Sequence, residues 1–305
     1  FGYKSYFNFF VELFKKKKLP NTMLLSGSKG LGKSTFVYHF ANYILSKEEQ
    51  GVYSTTHFAI NKNNLSYKML CENIHPNFFT IQNGPLEKEI KIDQIKNLLQ
   101  FLSKSTYSRD LKIILIDNAE YLNLHSSNAL LKAIEETQRN TFFFIIHNSA
   151  SKILDTIKSR CIEFNFFFTR GEKKNIFENI ANQYFNEFET NELVENLHFD
   201  TPGNLIKYFS LLNNENINVA ENKLSYIFYF IEKYLNEKNP DTLIFLSLFI
   251  HKFYNELCLR DRNNVSSYLL NLSKIMQQID DMKKFNLNEK NILIWIKDIL
   301  LNEAK

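Results

Sequence analysis

The chain has 305 residues, which is too long for one ordinary hydrophobic core and fits two or three domains. Hydrophobic residues make up 44% of the sequence and charged residues 23%, a composition that excludes an intrinsically disordered chain. The net charge of +4 is too small to indicate a protein dedicated to binding nucleic acid, because such proteins concentrate positive charge on one face.

The first half of the chain alternates strand-like and helix-like segments, which predicts an α/β domain with a parallel sheet. The clearest strand is residues 112–116, a largely β-branched apolar run that ends at Asp117. Residues 48–73 show no convincing period, so we expect a loop or a short excursion there. The predicted strands are residues 23–26, 78–81, 112–116, 141–147 and 162–166, and the predicted helices are residues 33–45, 92–102 and 126–136.

The second half of the chain has only helical periodicity after Phe168, with breaks at residues 201–203 and 213–218. It is therefore predicted to be all-α. The expected domains are an α/β nucleotide-binding domain at residues 1–168, a small helical domain at 169–214 and a larger helical domain at 215–305.

Residues 27–34 read Gly-Ser-Lys-Gly-Leu-Gly-Lys-Ser, a complete phosphate-binding loop between a strand and a helix. Glycines let backbone N–H groups turn towards phosphate oxygens, and the following helix presents its positive end. Lys33 is expected to reach the β- and γ-phosphates, and the Ser34 hydroxyl to bind Mg²⁺. The alternative is a simple strand-to-helix turn. The predicted binding set for ATP and Mg²⁺ is Gly27, Gly30, Gly32, Lys33, Ser34, Thr35 and Asp117.

Asp117 closes a predicted strand and fits the carboxylate that holds the metal of a bound nucleotide. The alternative role is ordinary helix capping. The next residue is Asn118, a neutral and poor base at a position where hydrolysing P-loop proteins of the AAA+ class generally have Glu. Glu120 lies nearby, but its direction cannot be read from the sequence. Binding without efficient hydrolysis is the resulting prediction.

Several segments together resemble the delta-prime family of bacterial clamp-loader subunits, which are AAA+ proteins. The Ser-Arg-Cys triplet at 159–161 and the Asn-Ala-Leu-Leu-Lys run at 128–132 are the most distinctive. The resemblance implies an AAA+ domain followed by a helical lid and a C-terminal helical collar. The resembling segments are residues 24–34, 92–96, 114–122, 127–136, 157–161 and 285–289.

The resemblance also implies roles for two further side chains. Arg160 matches an arginine finger that reaches the γ-phosphate held by a neighbouring ATPase subunit. The alternative is a surface Arg that pairs with Glu163 or with a helix end. Asn148 falls near the sensor-1 position, where it would orient a water or the γ-phosphate, and an exposed strand-end Asn is the alternative.

Two departures from the family pattern are informative. Ile206 stands where hydrolysing relatives carry a sensor-2 Arg, so closure of a lid over nucleotide would lack that charge. Many members carry a four-cysteine zinc module, of which this chain keeps Cys71 alone. Because Cys71 with His57 and His75 does not supply four ligands, we expect no zinc and a packed Cys71 thiol.

The resemblance therefore implies a clamp-loader subunit of the DNA polymerase III holoenzyme, acting in DNA replication with gamma/tau and delta subunits, the sliding clamp and primed DNA. The alternative is an ATP-hydrolysing motor of the tau/gamma type, against which we count the chain's end at Lys305. A P-loop ATPase unrelated to replication has no evident use for residues 159–161. Three dispersed cysteines, no visible signal peptide and no apolar run near 18 residues predict a soluble cytoplasmic protein.

Overall fold

The computed structural model describes residues 2–83, 89–104, 111–136, 140–184, 200–214, 224–285 and 287–303. The described residues form two compact units: the first contains those up to 184 together with 200–204, and the second contains those from 205 onwards. The predicted boundary at 214 and 215 adjoins residues outside the described ranges, and the three-domain division stays a prediction.

The first unit is built on one sheet of five parallel strands in the order β2-β3-β4-β1-β5. All of the predicted strands are confirmed, with shifts of at most one residue at their ends. Because the strands are parallel, their carboxyl ends meet at one edge of the sheet. The strands are β1 (Thr22–Gly27), β2 (Phe78–Ile81), β3 (Lys112–Ile116), β4 (Thr141–Asn148) and β5 (Ile162–Asn165).

Helices cover both faces of this sheet. They are α1 (Lys4–Lys15), α2 (Lys33–Leu45), α3 (Leu65–Cys71), α4 (Ile92–Ser103), α5 (Leu124–Glu135), α6 (Asp155–Lys158) and α7 (Arg170–Tyr184), with a 3₁₀ turn at Ala119–Tyr121. Strand side chains alternate between two cores, as the two-residue period requires. Phe144 packs with Phe10 and Phe40 from α1 and α2, whereas Phe143 belongs to the core that Leu98 and Leu130 supply from α4 and α5.

Residues 48–73 consist mostly of turns with one short helix, in agreement with a loop or a short excursion, but the expectation of a packed Cys71 is wrong. The segment contains α3, whose first turn is capped because the Asn64 side chain accepts a hydrogen bond from the Tyr67 N–H at 2.6 Å. Cys71, the last residue of this short helix, is exposed and not packed. Helix α1 lies before the first of the predicted strands, and it buries Phe7, Phe10 and Val11.

The second unit is helical throughout its described residues, as predicted. It contains α8 (Pro202–Asn214) from residue 205, α9 (Leu224–Glu237), α10 (Pro240–Arg260), α11 (Val265–Phe285) and α12 (Glu289–Glu303). Its centre is aromatic: Phe230 stacks with Phe245 and Phe249 at ring-centroid distances of 5.2 and 5.6 Å. Trp295 on α12 remains partly exposed.

Helix α10 corrects the expectation that no apolar run approaches the length of a membrane span. Residues 241–260 are long and apolar enough to cross a membrane by length and composition alone. Half of this stretch is buried inside the protein, and its buried residues include Leu246, Phe249 and Tyr254. A helix in the core of a helical bundle also reaches this length and apolar composition, because its side chains are buried among those of other helices.

The sheet core predicts where truncation is costly. Phe144→Ala removes a fully buried ring from between α1, α2 and β4, so we expect a loss of about 3–5 kcal/mol in the free energy of unfolding. Phe167→Ala is the matched control, because that ring is 67% exposed and its removal should change the free energy by less than about 0.5 kcal/mol. Urea unfolding of both variants measures the difference, and equal losses would contradict this description of the core.

Candidate nucleotide-binding site

The phosphate-binding loop joins the carboxyl end of β1 to the first residue of α2. Gly32 is the N-cap of α2, with φ 78°, and a side chain added there would meet nothing within 4 Å. Gly30 also has a left-handed backbone, with φ 83°, and a Cβ there would collide with the hydroxyl of Thr201. These two glycines are therefore required by the loop's backbone, and open space lies beside the helix N-terminus where phosphate would bind.

Residues 200–204 close one side of the loop. The Thr201 hydroxyl donates to the carbonyl of Lys29 at 2.8 Å, and the Gly203 N–H donates to the carbonyl of Gly30 at 2.9 Å. The sequence marked this segment only as a helix break. Its contact with the loop joins residues about 170 positions apart, which local patterns do not report.

Lys33 is buried and its ammonium lies inside the loop. It donates to the carbonyls of Gly27 at 2.5 Å and Ser28 at 2.8 Å. Burial lowers the pKa of Lys33 from 10.5 to about 8, against the attraction of Asp117 and Glu120, which acts in the opposite direction. A phosphate would replace these carbonyls as the partner of the charge, so the residue fits the predicted role.

Ser34 and Asp117 come together as the sequence predicts. The Ser34 hydroxyl donates to the Asp117 carboxylate, which also accepts from the Asn118 N–H. Burial raises the pKa of Asp117, and these two hydrogen bonds and the charge of Lys33 oppose that rise. A hydroxyl and a carboxylate oxygen are ligands that suit Mg²⁺. Thr35 lies exposed in the first turn of α2, directly after Ser34.

Asn118 has a left-handed backbone with φ 57°, a conformation that Asn adopts more readily than Glu. Its side-chain N–H group donates to the Asn83 side chain at 3.2 Å. The residue that replaces the expected catalytic Glu therefore also suits a constrained backbone.

Glu120 points towards the site, a direction that the sequence left open. One of its carboxylate oxygens accepts from the Asn148 N–H at 3.2 Å, and its charge acts on both Lys33 and Asp117. Asn148 pairs with Gly27 in the register of β4 and β1. Its side chain turns back to its own loop, where Oδ1 accepts from the Ala150 N–H at 3.2 Å. The sensor-1 role of Asn148 stays a prediction.

Arg160 lies two residues before β5 begins, at the amino edge of the sheet. The phosphate-binding loop follows the carboxyl end of β1, which runs parallel beside β5, so Arg160 and the loop of its own chain lie at opposite edges. The partner of Arg160 is not Glu163, which pairs with Lys158 at 3.1 Å. Its guanidinium instead contacts Glu135 at the end of α5, in agreement with the helix-end alternative.

The three residues considered as remnants of a zinc module do not converge. His75 is buried: its Nδ1 accepts from the Asn77 N–H at 3.1 Å, and its Nε2 lies 3.4 Å from the Ser66 hydroxyl. His57 and Cys71 are both exposed. Within the ranges that the structure covers, no group of three or more His, Cys, Asp or Glu side chains is arranged to hold a metal ion. The expectation of no zinc stays a prediction.

The strand–loop–helix unit, the five-stranded parallel sheet and the helical second unit define an α/β P-loop protein of the AAA+ class. The family model described as "DNA polymerase III, delta subunit" matches residues 2–168, more than half of the chain. The chain belongs to this family.

Individual relatives agree with this assignment. The DNA polymerase III subunit delta' of Pseudomonas aeruginosa is 30% identical over 140 residues, which are 46% of this chain and 41% of that protein. This chain thus spans less than half the length of that relative. The gamma subunit of Buchnera aphidicola is 24% identical over 286 residues, 92% of this chain and 69% of the relative. The crystal structure of a gamma subunit-related protein from Thermotoga maritima has the same fold, with a TM-score of 0.50 at 14% identity, and the match covers 97% of this chain and 100% of that one.

Because the pKa of Lys33 is lowered by burial, we predict that the free energy of unfolding depends on pH through this residue. Between about pH 8 and pH 10.5 the unfolded chain holds a proton on Lys33 that the folded chain has released, so stability gains with rising pH in this window. Lys33→Met lacks this contribution. We therefore expect Lys33→Met to exceed the unmodified chain in free energy of unfolding near pH 8. This difference should shrink by about 3 kcal/mol as the pH rises to about 10.5.

Urea unfolding at several pH values measures this difference. Lys29→Met is the control, because it removes an exposed lysine from the same loop. Parallel stability curves for Lys33→Met and the unmodified chain would show that the Lys33 pKa is not lowered.

Proposed function

We propose that this chain is a clamp-loader subunit of the DNA polymerase III holoenzyme and that it acts in DNA replication. In this proposal it assembles in the cytoplasm with gamma/tau and delta subunits, and the assembly loads a sliding clamp onto primed DNA. Family membership over residues 2–168 supports the proposal. The names of relatives, delta' and gamma subunits of DNA polymerase III, support it further.

The part we assign to this subunit is to supply Arg160 to the ATP of a neighbouring subunit. The observation that carries this assignment is the position of Arg160 at the amino edge of the sheet, opposite its own phosphate-binding loop. A guanidinium there is badly placed to act on a nucleotide in its own loop. It is exposed at the rim, where a neighbour's triphosphate is within reach, and a positive charge there stabilises charge that develops in phosphoryl transfer.

The chain's own loop is proposed to bind ATP with Mg²⁺ and to turn it over slowly at most. Lys33 and the loop N–H groups would hold the phosphates, and Ser34 and Asp117 the metal. A bound Mg²⁺ would neutralise charge on the β- and γ-phosphates. Asn118, at the position of the catalytic Glu, cannot take a proton from water, which supports binding without efficient hydrolysis.

The tau/gamma-type motor remains the second candidate, and two observations favour it. The match to a gamma subunit extends over 92% of this chain, further than the match to the delta' relatives. Glu120 also brings a carboxylate to the end of β4, close enough to act electrostatically on Lys33 and Asp117. In a motor, Glu120 would take over part of the role that Asn118 cannot perform.

The isolated chain separates the two candidates. We expect it to bind a fluorescent ATP analogue with Mg²⁺, and Lys33→Ala to weaken that binding at least about tenfold through loss of a charged hydrogen bond. Lys62→Ala, which removes an exposed lysine outside the loop, should bind as the unmodified chain does. Phosphate release should stay at background. Rapid release that depends on both Lys33 and Glu120 would favour the motor instead.

The finger is tested in the assembled complex. Arg160→Ala should co-purify with gamma/tau and delta subunits as before, and it should slow the ATPase of the complex by up to about 10³-fold. Arg170→Ala is the matched control, since it removes the same side chain from the first residue of α7. A complex that keeps its full rate with Arg160→Ala would rule out the finger assignment.

A further inference from the structure

The guanidinium of Arg160 is held by two neighbouring elements. Its Nε donates to Oε1 of Glu135 at 2.6 Å, and its Nη2 lies 2.6 Å from the same oxygen. Its Nη1 donates to the carbonyl of Thr156 at 3.0 Å. Glu135 is the last residue of α5 and Thr156 lies in α6, so the side chain is fixed between two helices.

Stability does not explain this contact. The side chains of Arg160 and Glu135 are 39% and 51% exposed, and ion pairs as exposed as this contribute little to folding. A carboxylate in the last turn of a helix is also unfavourable by itself, because the helix dipole is negative there. The contact of the Glu135 carboxylate with the Arg160 guanidinium is therefore better explained by the orientation that it gives to Arg160.

The contact fixes the guanidinium and leaves part of it available. Arg has five N–H groups, and this arrangement engages at most three of them. At least two remain to meet the oxygens of a phosphate. An unrestrained Arg side chain loses conformational entropy when it docks, and this one has lost much of that freedom in advance.

The anchor itself is rigid. The side chains of Leu130 and Ile134, in α5 just before Glu135, are buried. The side chain of Ile157, next to Thr156 in α6, is also buried. All three belong to the core on that side of the sheet. Arg160 is thus tied to the packed core through Glu135, although the pair itself is exposed.

We propose that Glu135 is the positioning residue of Arg160, which holds the guanidinium in the orientation that meets a nucleoside triphosphate bound by the neighbouring subunit. This inference rests on the finger function proposed above. Glu135 itself touches neither the nucleotide nor the reacting atoms. Its carboxylate oxygen acts as a hydrogen-bond acceptor, and its charge is not needed for that task.

The test uses the complete complex and separates kcat from KM. Glu135→Ala should lower the kcat of the ATPase about tenfold to a hundredfold, as misplaced catalytic groups do, and leave the KM for ATP unchanged, because the neighbour's own loop binds the nucleotide. Glu135→Gln should stay close to the unmodified kcat, since its amide oxygen still accepts from Nε. Glu136→Ala is the matched control, one residue along, with the same charge removed from an exposed side chain.

The outcomes distinguish the positioning role of Glu135 from the finger function of Arg160 on which it rests. If Arg160→Ala slows the complex and Glu135→Ala does not, Glu135 has no positioning role and the finger stands. A faster Glu135→Ala complex would show that the carboxylate holds Arg160 away from the nucleotide, which also overturns the inference. If Arg160→Ala has no effect, the finger function fails and the inference fails with it. In an Arg160→Ala background, Glu135→Ala should have no further effect on kcat, and an additional loss would mean that Glu135 acts by another route.

Discussion

The parallel direction of the strands is the constraint on which the rest of the site depends. The pairing of β4 with β1 and β3 places the phosphate-binding loop, the Asp117 carboxylate and the end of β4 at one edge of the sheet. The same direction puts the segment before β5, with Arg160, at the other edge. One sheet therefore presents two chemically different rims, one with the phosphate-binding loop and a carboxylate and one with an exposed guanidinium.

The first of these rims is costly to the folded state. Lys33 is a buried cation whose pKa burial lowers to about 8, and Asp117 is a carboxylate whose pKa burial raises. Gly30 holds a left-handed backbone against Thr201. A site selected only for stability would not bury these charged groups. Their burial is typical of functional sites, where stability is lower than packing alone would allow. The loop carbonyls that accept from Lys33 hold its ammonium inside the loop.

The polar groups around β4 show how a P-loop site can be altered while its frame is retained. Asn118 occupies a left-handed backbone and contacts Asn83, whereas Glu120 turns to the backbone of Asn148. A carboxylate two residues after Asn118 thus lies at the same edge of the sheet as the loop. The second rim shows the opposite arrangement, because there a carboxylate, Glu135, serves a cation and not the nucleotide's metal.

The sequence alone determined the elements whose signals are local. The glycine pattern at residues 27–34, the apolar run before Asp117 and the helical period of the second half each depend on neighbours within one or two turns. Helix α3 was not predicted as a helix, because its seven residues show little periodicity and the main local signal is the N-cap residue Asn64. Only the tertiary structure decided the direction of Glu120, the pairing of Arg160 with Glu135 rather than Glu163, and the contact of Thr201 with the loop. These contacts join residues 25 to 172 positions apart, so they depend on strand order and helix packing, and no local pattern encodes them.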